Sequence, residues 1–360
     1  MTRTQHVCFA VGVCLVCMFP VPAFAQAANL KWQKAAPFPE PEEELYGAAA
    51  NGKMYVMGGY GQGGSPVGMN WEYDPNLDKW TKKAGMPVKA HHAAMASYNG
   101  KVYVFGGYTL YKRAGAAVGA GWKPIDNAWE YNPATDTWKA LAPLPTKRGS
   151  PIAAEVNGKI YVIGGTIGDP KIDDGTVYPD RSARSLGTNE VYDPATNTWK
   201  SANPMPTPRN HMFMGVVNNK VYVIGGRYAS SFITVATNSD LVEEYDPATD
   251  TWGAENRARL AMPRSGGGFA THNGLIYVAG GEVQTAQYLG AFRSLEAYDP
   301  ARNVWYTLPV MPYPRHGVAT AFLGNKLHLV SGKITSGGAP DTQLSTASHD
   351  VLDIPDTFGH

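Results

Sequence analysis

Short apolar runs separated by glycine- and proline-rich breaks fill most of the chain, and one such run recurs. Asn99-Gly100-Lys101-Val102-Tyr103-Val104-Phe105-Gly106-Gly107 is echoed by NGKMYVMGG ending at Gly59, NGKIYVIGG at Gly165, NNKVYVIGG at Gly226, NGLIYVAGG at Gly281 and GNKLHLVSG at Gly332. The β-branched and aromatic core of each run predicts a strand buried on both faces. The Asn-Gly in front predicts a tight hairpin with positive φ. The glycine pair behind it predicts a place where backbone is strained or a neighbouring sheet comes close.

A second pattern follows in five copies: Tyr73-Asp74-Pro75, Tyr131-Asn132-Pro133, Tyr192-Asp193-Pro194, Tyr245-Asp246-Pro247 and Tyr298-Asp299-Pro300, with Trp80, Trp138, Trp199, Trp252 and Trp305 in register behind them. The Pro and the polar residues after it predict a turn, with the Trp opening the next strand. Each repeat is therefore four strands. The pairs begin at positions 58, 106, 164, 225, 280 and 331, a period suited to a propeller.

Glycine pair, Tyr-Asp-Pro turn and trailing Trp together resemble the kelch repeat, and the resemblance runs from Trp32 to about Pro355. It implies an all-β, six-bladed β-propeller with blades arranged around a central channel. The sixth repeat lacks its Trp-bearing strand, while Lys31-Trp32-Gln33-Lys34 near the N-terminus matches Thr137-Trp138-Lys139-Ala140. The N-terminal strand is thus expected to complete the last blade and close the ring. Residues 26–360 are read as this one domain.

Residues 1–25 read as a signal peptide: Arg3, an apolar stretch from Val7 to Val21, then Ala23-Phe24-Ala25 before a cut at Gln26. A periplasmic or secreted protein with no membrane span after cleavage is expected. Cys8, Cys14 and Cys17 all lie in that segment, so the mature chain has no cysteine. That excludes disulfides, thiolate metal sites and a Cys nucleophile. It also excludes the Tyr–Cys crosslink of galactose oxidase, a copper-radical enzyme built on similar repeats. Removing Arg3 leaves 31 − 1 = 30 basic against 30 acidic residues. This balance argues against nucleic acid as a partner. A monomer is expected.

Aligning the repeats on the glycine pair exposes three ring registers. Sixteen residues before each pair stand Glu42, Ala90, Arg148, Arg209, Arg264 and Arg315; next come Glu43, His91, Gly149, Asn210, Ser265 and His316; then Glu44, His92, Ser150, His211, Gly266 and Gly317. They lead into the innermost strands and should crowd one mouth of the channel. Resemblance to kelch propellers that bind acidic peptides implies that Arg148, Arg209, Arg264 and Arg315 face a ligand there, and guanidinium forks suit carboxylates. The alternative is that these arginines pair with Glu42, Glu43, Glu44 or nearby backbone as scaffold. His92, His316 and, from a long loop, Tyr111 and Trp122 complete the candidate ligand set. Tyr55, Tyr103, Tyr161, Tyr222 and Tyr277 recur too regularly to be a site and are read as packing between sheets.

Two functions fit. One is an exported binding or scaffold protein that recognises a carboxylated glycan or an acidic protein segment at the Arg-lined mouth. The other, suggested by likeness to periplasmic sialic-acid mutarotases and epimerases, is a sugar isomerase in which Glu44 or His211 moves the proton. No metal and no other cofactor is expected, because the ring histidines lie on different blades and no carboxylate stands beside them at ligand spacing.

Overall fold

The computed structural model describes residues 27, 29–61, 65–112, 121–179, 181–232, 237–253, 257–285, 288–337 and 344–359. The expected signal segment lies outside them. Among the described residues, six four-stranded antiparallel sheets form the body of the molecule, with three two-stranded ribbons beside them. They are blade I (43–82), II (94–140), III (152–202), IV (213–253), V (268–307) and VI, whose three strands Ala319–Leu323, Lys326–Val330 and His349–Asp353 are completed by Trp32–Lys34. The innermost strand of each blade neighbours that of the next, and blade VI returns to blade I. The fold is a closed six-bladed β-propeller, as the repeats imply.

Each repeated residue has a visible task. Asn99 and Gly100 both take positive φ, 48° and 70°, which makes the two-residue hairpin. A Cβ on Gly106 would meet the Arg148 carbonyl at 2.6 Å, and one on Gly107 the His91 carbonyl at 2.7 Å, so the pair admits the incoming loops of its own and the next blade. Trp80, Trp138, Trp199, Trp252 and Trp305 lie on the outermost strands. Each donates its Nε1–H to a backbone carbonyl of the segment leaving the preceding blade, at 2.8–2.9 Å.

Trp32 does the same, donating to Val310 O at 2.9 Å, while its strand pairs Trp32 with Leu352 and Gln33 with Val351. The first strand of the described residues thereby substitutes for the missing one. Between blades lie the apolar layers that hold the ring; Tyr55, Tyr103, Tyr161, Tyr222 and Tyr277 are buried in them. The channel is narrow. A Cβ on Gly47 would come within 2.6 Å of the Thr320 carbonyl.

Candidate functional site

The four ring arginines do not face the channel. Arg148, Arg209, Arg264 and Arg315 are fully buried, and each meets a carboxylate on the third strand of its own blade: Glu190 at 2.5 Å, Glu243, Glu296 at 2.5 Å and Asp350 at 2.6 Å. They also donate to the backbone near their glycine pairs, as in Arg264 Nε to Gly280 O at 2.9 Å and Arg209 Nη1 to Gly225 O at 2.5 Å. They are pins that lock loop, second strand and third strand together. The scaffold alternative is the right one, with different acids from those expected. Blades I and II, which carry Glu42 and Ala90 instead of Arg, have Trp71 and Trp129 where the others have the acid. Reading both positions together would have exposed the pairing.

Two places further on, the ring does turn inward. Glu44, His92, Ser150 and His211 adopt φ of 53–56°, and Gly266 and Gly317 66° and 58°. Left-handed backbone at four non-glycine positions costs roughly 1–2 kcal/mol each and persists only when its surroundings enforce it. A belt of hydrogen bonds does so here. Ser150 N–H donates to His92 O, His211 to Ser150, Gly266 to His211, and Gly317 to Gly266, at 2.7–3.2 Å, and Leu45 N–H returns to Gly317 O at 3.1 Å. The middle register pairs with the residue directly after each glycine pair: His91 with Tyr108, Gly149 with Thr166, Asn210 with Arg227, Ser265 with Glu282, His316 with Lys333 and Glu43 with Tyr60.

A cavity of about 110 Å³ opens above this belt. Glu43, Glu44 and Glu282 bring negative charge; Arg227 and His316 bring positive charge; Tyr60, Trp122 and Phe232 form an aromatic wall. Trp122 and Phe232 stack with centroids 4.0 Å apart. Lys333 joins from beside it, 3.6 Å from Glu43. The expected His92, His316, Glu44 and Trp122 all line the cavity, and His211 lines the adjoining channel with Glu44. Tyr111 does not; its hydroxyl donates to Asp173 at 3.4 Å.

Hydrogen bonding sets the protonation of the two key imidazoles. His316 Nδ1 faces the Thr335 carbonyl at 2.6 Å and Nε2 faces Glu43 at 2.9 Å, with Glu44 and Glu282 at 3.8 Å. Both nitrogens therefore donate, and the ring is cationic. Burial works against that charge, but Glu282, Glu43 and Glu44 outweigh it and lift the pKa to about 9. Asn210 spends its amide on Ser185, so its oxygen accepts from His211 Nδ1 at 2.5 Å and leaves Nε2 an acceptor facing Ser150 Oγ at 3.5 Å. Burial, then the Arg227 charge, hold His211 neutral, well below the usual range.

Glu44 is pushed up by burial, yet His92, His316 and Arg227 bring it down to about 2. Arg227 binds Glu282 through Nη1 at 3.1 Å, while its buried Nε–H has no partner among the described residues.

Ring residues from separate blades do meet. Ligand atoms of Glu44, His92 and His211, from blades I, II and IV, lie within 4.8 Å of one another, and so do those of Glu43, Glu44 and His316. The premise that such positions are too far apart, and lack a carboxylate, fails because the channel is so tight.

Fold and cavity together define a kelch-type propeller with a small polar pocket at one end of its axis. The KLHDC2/KLHL20/DRC7 Kelch-repeats domain matches residues 23–203 and 179–332, so the chain belongs to the kelch-repeat family. It is similar to the kelch-like protein terF of Aspergillus terreus, 28% identical over 58% of this chain and 54% of that protein. It is also similar to beta-scruin of Limulus polyphemus, 28% over 63% and 24%, and to an F-box/kelch-repeat protein of Arabidopsis thaliana, 32% over 61% and 54%. The chain thus spans about half or less of the length of these relatives. A solved structure titled "Structure of YjhT" superposes with a TM-score of 0.69 at 20% identity, covering 88% of this chain and 96% of that one. Kelch propellers generally serve as binding or scaffold modules. No helix among the described residues is long and apolar enough to cross a membrane.

Proposed function

We propose that this propeller is an exported binding protein whose pocket takes a small carboxylated sugar. The observation that carries the reading is Arg227, the one ring arginine that lines the cavity among the described residues, set beside a cationic His316 and an aromatic wall. A charge-assisted hydrogen bond from such a guanidinium to a carboxylate contributes about 1.5–3 kcal/mol. Sugar C–H faces suit Tyr60, Trp122 and Phe232, while Glu43, Glu44 and Glu282 can accept from hydroxyls. The small volume of the cavity favours one sugar residue over an extended acidic protein segment, which would need a longer groove.

Titration calorimetry of the mature chain with N-acetylneuraminate or glucuronate, each against its methyl ester, tests this. The acid should bind at least 10-fold tighter than the ester, and Arg227→Gln should erase the difference. Equal affinity for acid and ester would remove the proposal.

A second reading keeps the same ligand and adds turnover. It is favoured by one imidazole in the cavity that only donates, His316, and one in the adjoining channel that can accept, His211, the acid and base roles a ring-opening isomerisation needs. NMR exchange between anomers separates the two: faster exchange at sub-stoichiometric protein supports the isomerase, and an unchanged rate leaves a binder.

A further inference from the structure

We propose that Glu44, His92 and His211 form a site for one divalent first-row transition-metal ion on the propeller axis. The inference stands apart from the sugar reading, since it rests on the donor set alone. Two imidazoles and one carboxylate make a three-point set that suits zinc, iron(II) or cobalt(II), with remaining positions open towards the cavity.

Three independent features of the chain favour metal over mere packing. The first is convergence. The three donors come from blades I, II and IV, yet their ligand atoms all fall within 4.8 Å, and His92 Nε2 stands 3.4 Å from Glu44 Oε2. Two ligands of one ion, each about 2.1 Å from it, lie some 3 to 4 Å apart, so little movement is needed to close around a metal. The second is orientation. His211 already gives its Nδ1–H to Asn210 Oδ1, the outer hydrogen bond that metal-ligating histidines use to aim the other nitrogen, and Nε2 is left as a lone pair with only a 3.5 Å contact to Ser150. His92 Nδ1 is engaged with His91 Nδ1, and its Nε2 faces Glu44.

The third is backbone. All three donors sit in left-handed conformations, φ 53–56°, on the belt that joins the blades, so their directions are imposed by the ring. The neighbouring set Glu43, Glu44 and His316 is less suited. Lys333 stands 3.6 Å from Glu43, and the Nδ1–H and Nε2–H of His316 are both already committed.

The test uses tag-free mature protein and the metal alone. Stripped protein is incubated with one equivalent of Co²⁺, passed through a desalting column, and measured for bound cobalt and for visible d–d absorption; Zn²⁺ competition gives the affinity. The expected result is close to one ion per chain, a d–d spectrum displaced by zinc, and a dissociation constant in the micromolar range or below. His211→Gln and Glu44→Gln should each weaken retention by at least 10-fold, with circular dichroism unchanged. His272→Gln, at a histidine of blade V away from the cavity, should bind as wild type. If either triad variant fails to fold, His92→Gln serves in its place. Wild-type protein that retains less than 0.1 ion per chain without d–d bands, or triad variants that retain as much as wild type, would overturn the site.

Discussion

Arg209 and Glu243 show how a residue can look like a ligand-binding group and act as a bolt. Both are buried, and the guanidinium also donates to Gly225 O and Leu241 O, so removing it strands a carboxylate and two carbonyls. Losing one partner of a buried ion pair typically costs about 3–5 kcal/mol, whereas removing both can be nearly neutral. Arg209→Ala should therefore lower unfolding stability by about that much in urea melts, and Arg209→Ala with Glu243→Gln by clearly less. A loss of carboxylate binding in Arg209→Ala without loss of stability would contradict the pin. Arg227, one residue past its glycine pair, is the arginine that reaches the pocket. The sequence held that position open to alignment: Tyr60, Tyr108, Thr166, Arg227, Glu282 and Lys333 form a polar and aromatic ring that differs from blade to blade, unlike the tyrosines before the pair.

At the level of strands, the join between blades VI and I differs from the other five. Where each other blade places a Tyr three residues before its glycine pair, blade VI places His328, whose Nδ1 meets His349 Nε2 at 2.9 Å. Around them stand Tyr73, Trp80, Asp78, Lys326, Asp350 and Arg315. Burial, reinforced by their mutual repulsion, depresses His328 to about 3; burial, partly offset by the Ala36 carbonyl and by Asp78, depresses His349 to about 4. Both are thus neutral in the fold, while in the unfolded chain they gain protons below about pH 6.5. Protons favour the unfolded state, so this stability is present above pH 6.5 and drains away towards pH 4. Between pH 7 and pH 5 the loss is about 2 kcal/mol per histidine. Replacing the pair with the residues of blade III, His328→Tyr and His349→Asn, should flatten the pH dependence of chemical denaturation over that interval. An unchanged slope would show that the acid sensitivity lies elsewhere.

Across the whole molecule, the last blade is completed by three residues from the other end of the chain. Trp32–Lys34 pair with the last strand, and Trp32 and Leu30 pack against the buried layer that contains Leu327, Leu352 and Ile354. Trp32→Ala should cost about 2 kcal/mol, less than the 3–5 typical of a fully buried tryptophan, because its side chain is only half-buried. Deleting the strand should leave His349–Asp353 as an open edge, and size-exclusion chromatography should show self-association; a monomeric, equally stable deletion would deny it a closing role.

This architecture was legible because five near-identical signatures recur in register and the sixth lacks one identifiable piece. Much less of the pocket could be read. That Glu44 and His211, from blades I and IV, approach each other depends on how tightly Gly47 lets the inner strands pack. That distance is a property of the ring and is written in no single repeat. The arginines misled because residue type was read at one position without its partner two strands away.

The left-handed belt separates two jobs that most binding surfaces combine. Main-chain hydrogen bonds fasten neighbouring blades there, so side chains at residues 44, 92, 150 and 211 contribute contents without carrying the frame. Evolution or an engineer could recode the cargo by exchanging residues at these four places and at Gly266, while Gly317 is fixed because a Cβ there would meet Glu44 N at 2.3 Å. The permitted alphabet is short: glycine, asparagine, aspartate and histidine adopt such dihedrals most readily, serine and glutamate do so here at Ser150 and Glu44, and β-branched valine, isoleucine and threonine are strongly disfavoured. Ligand preference in propellers of this build should therefore drift quickly, within a vocabulary set by torsion angles.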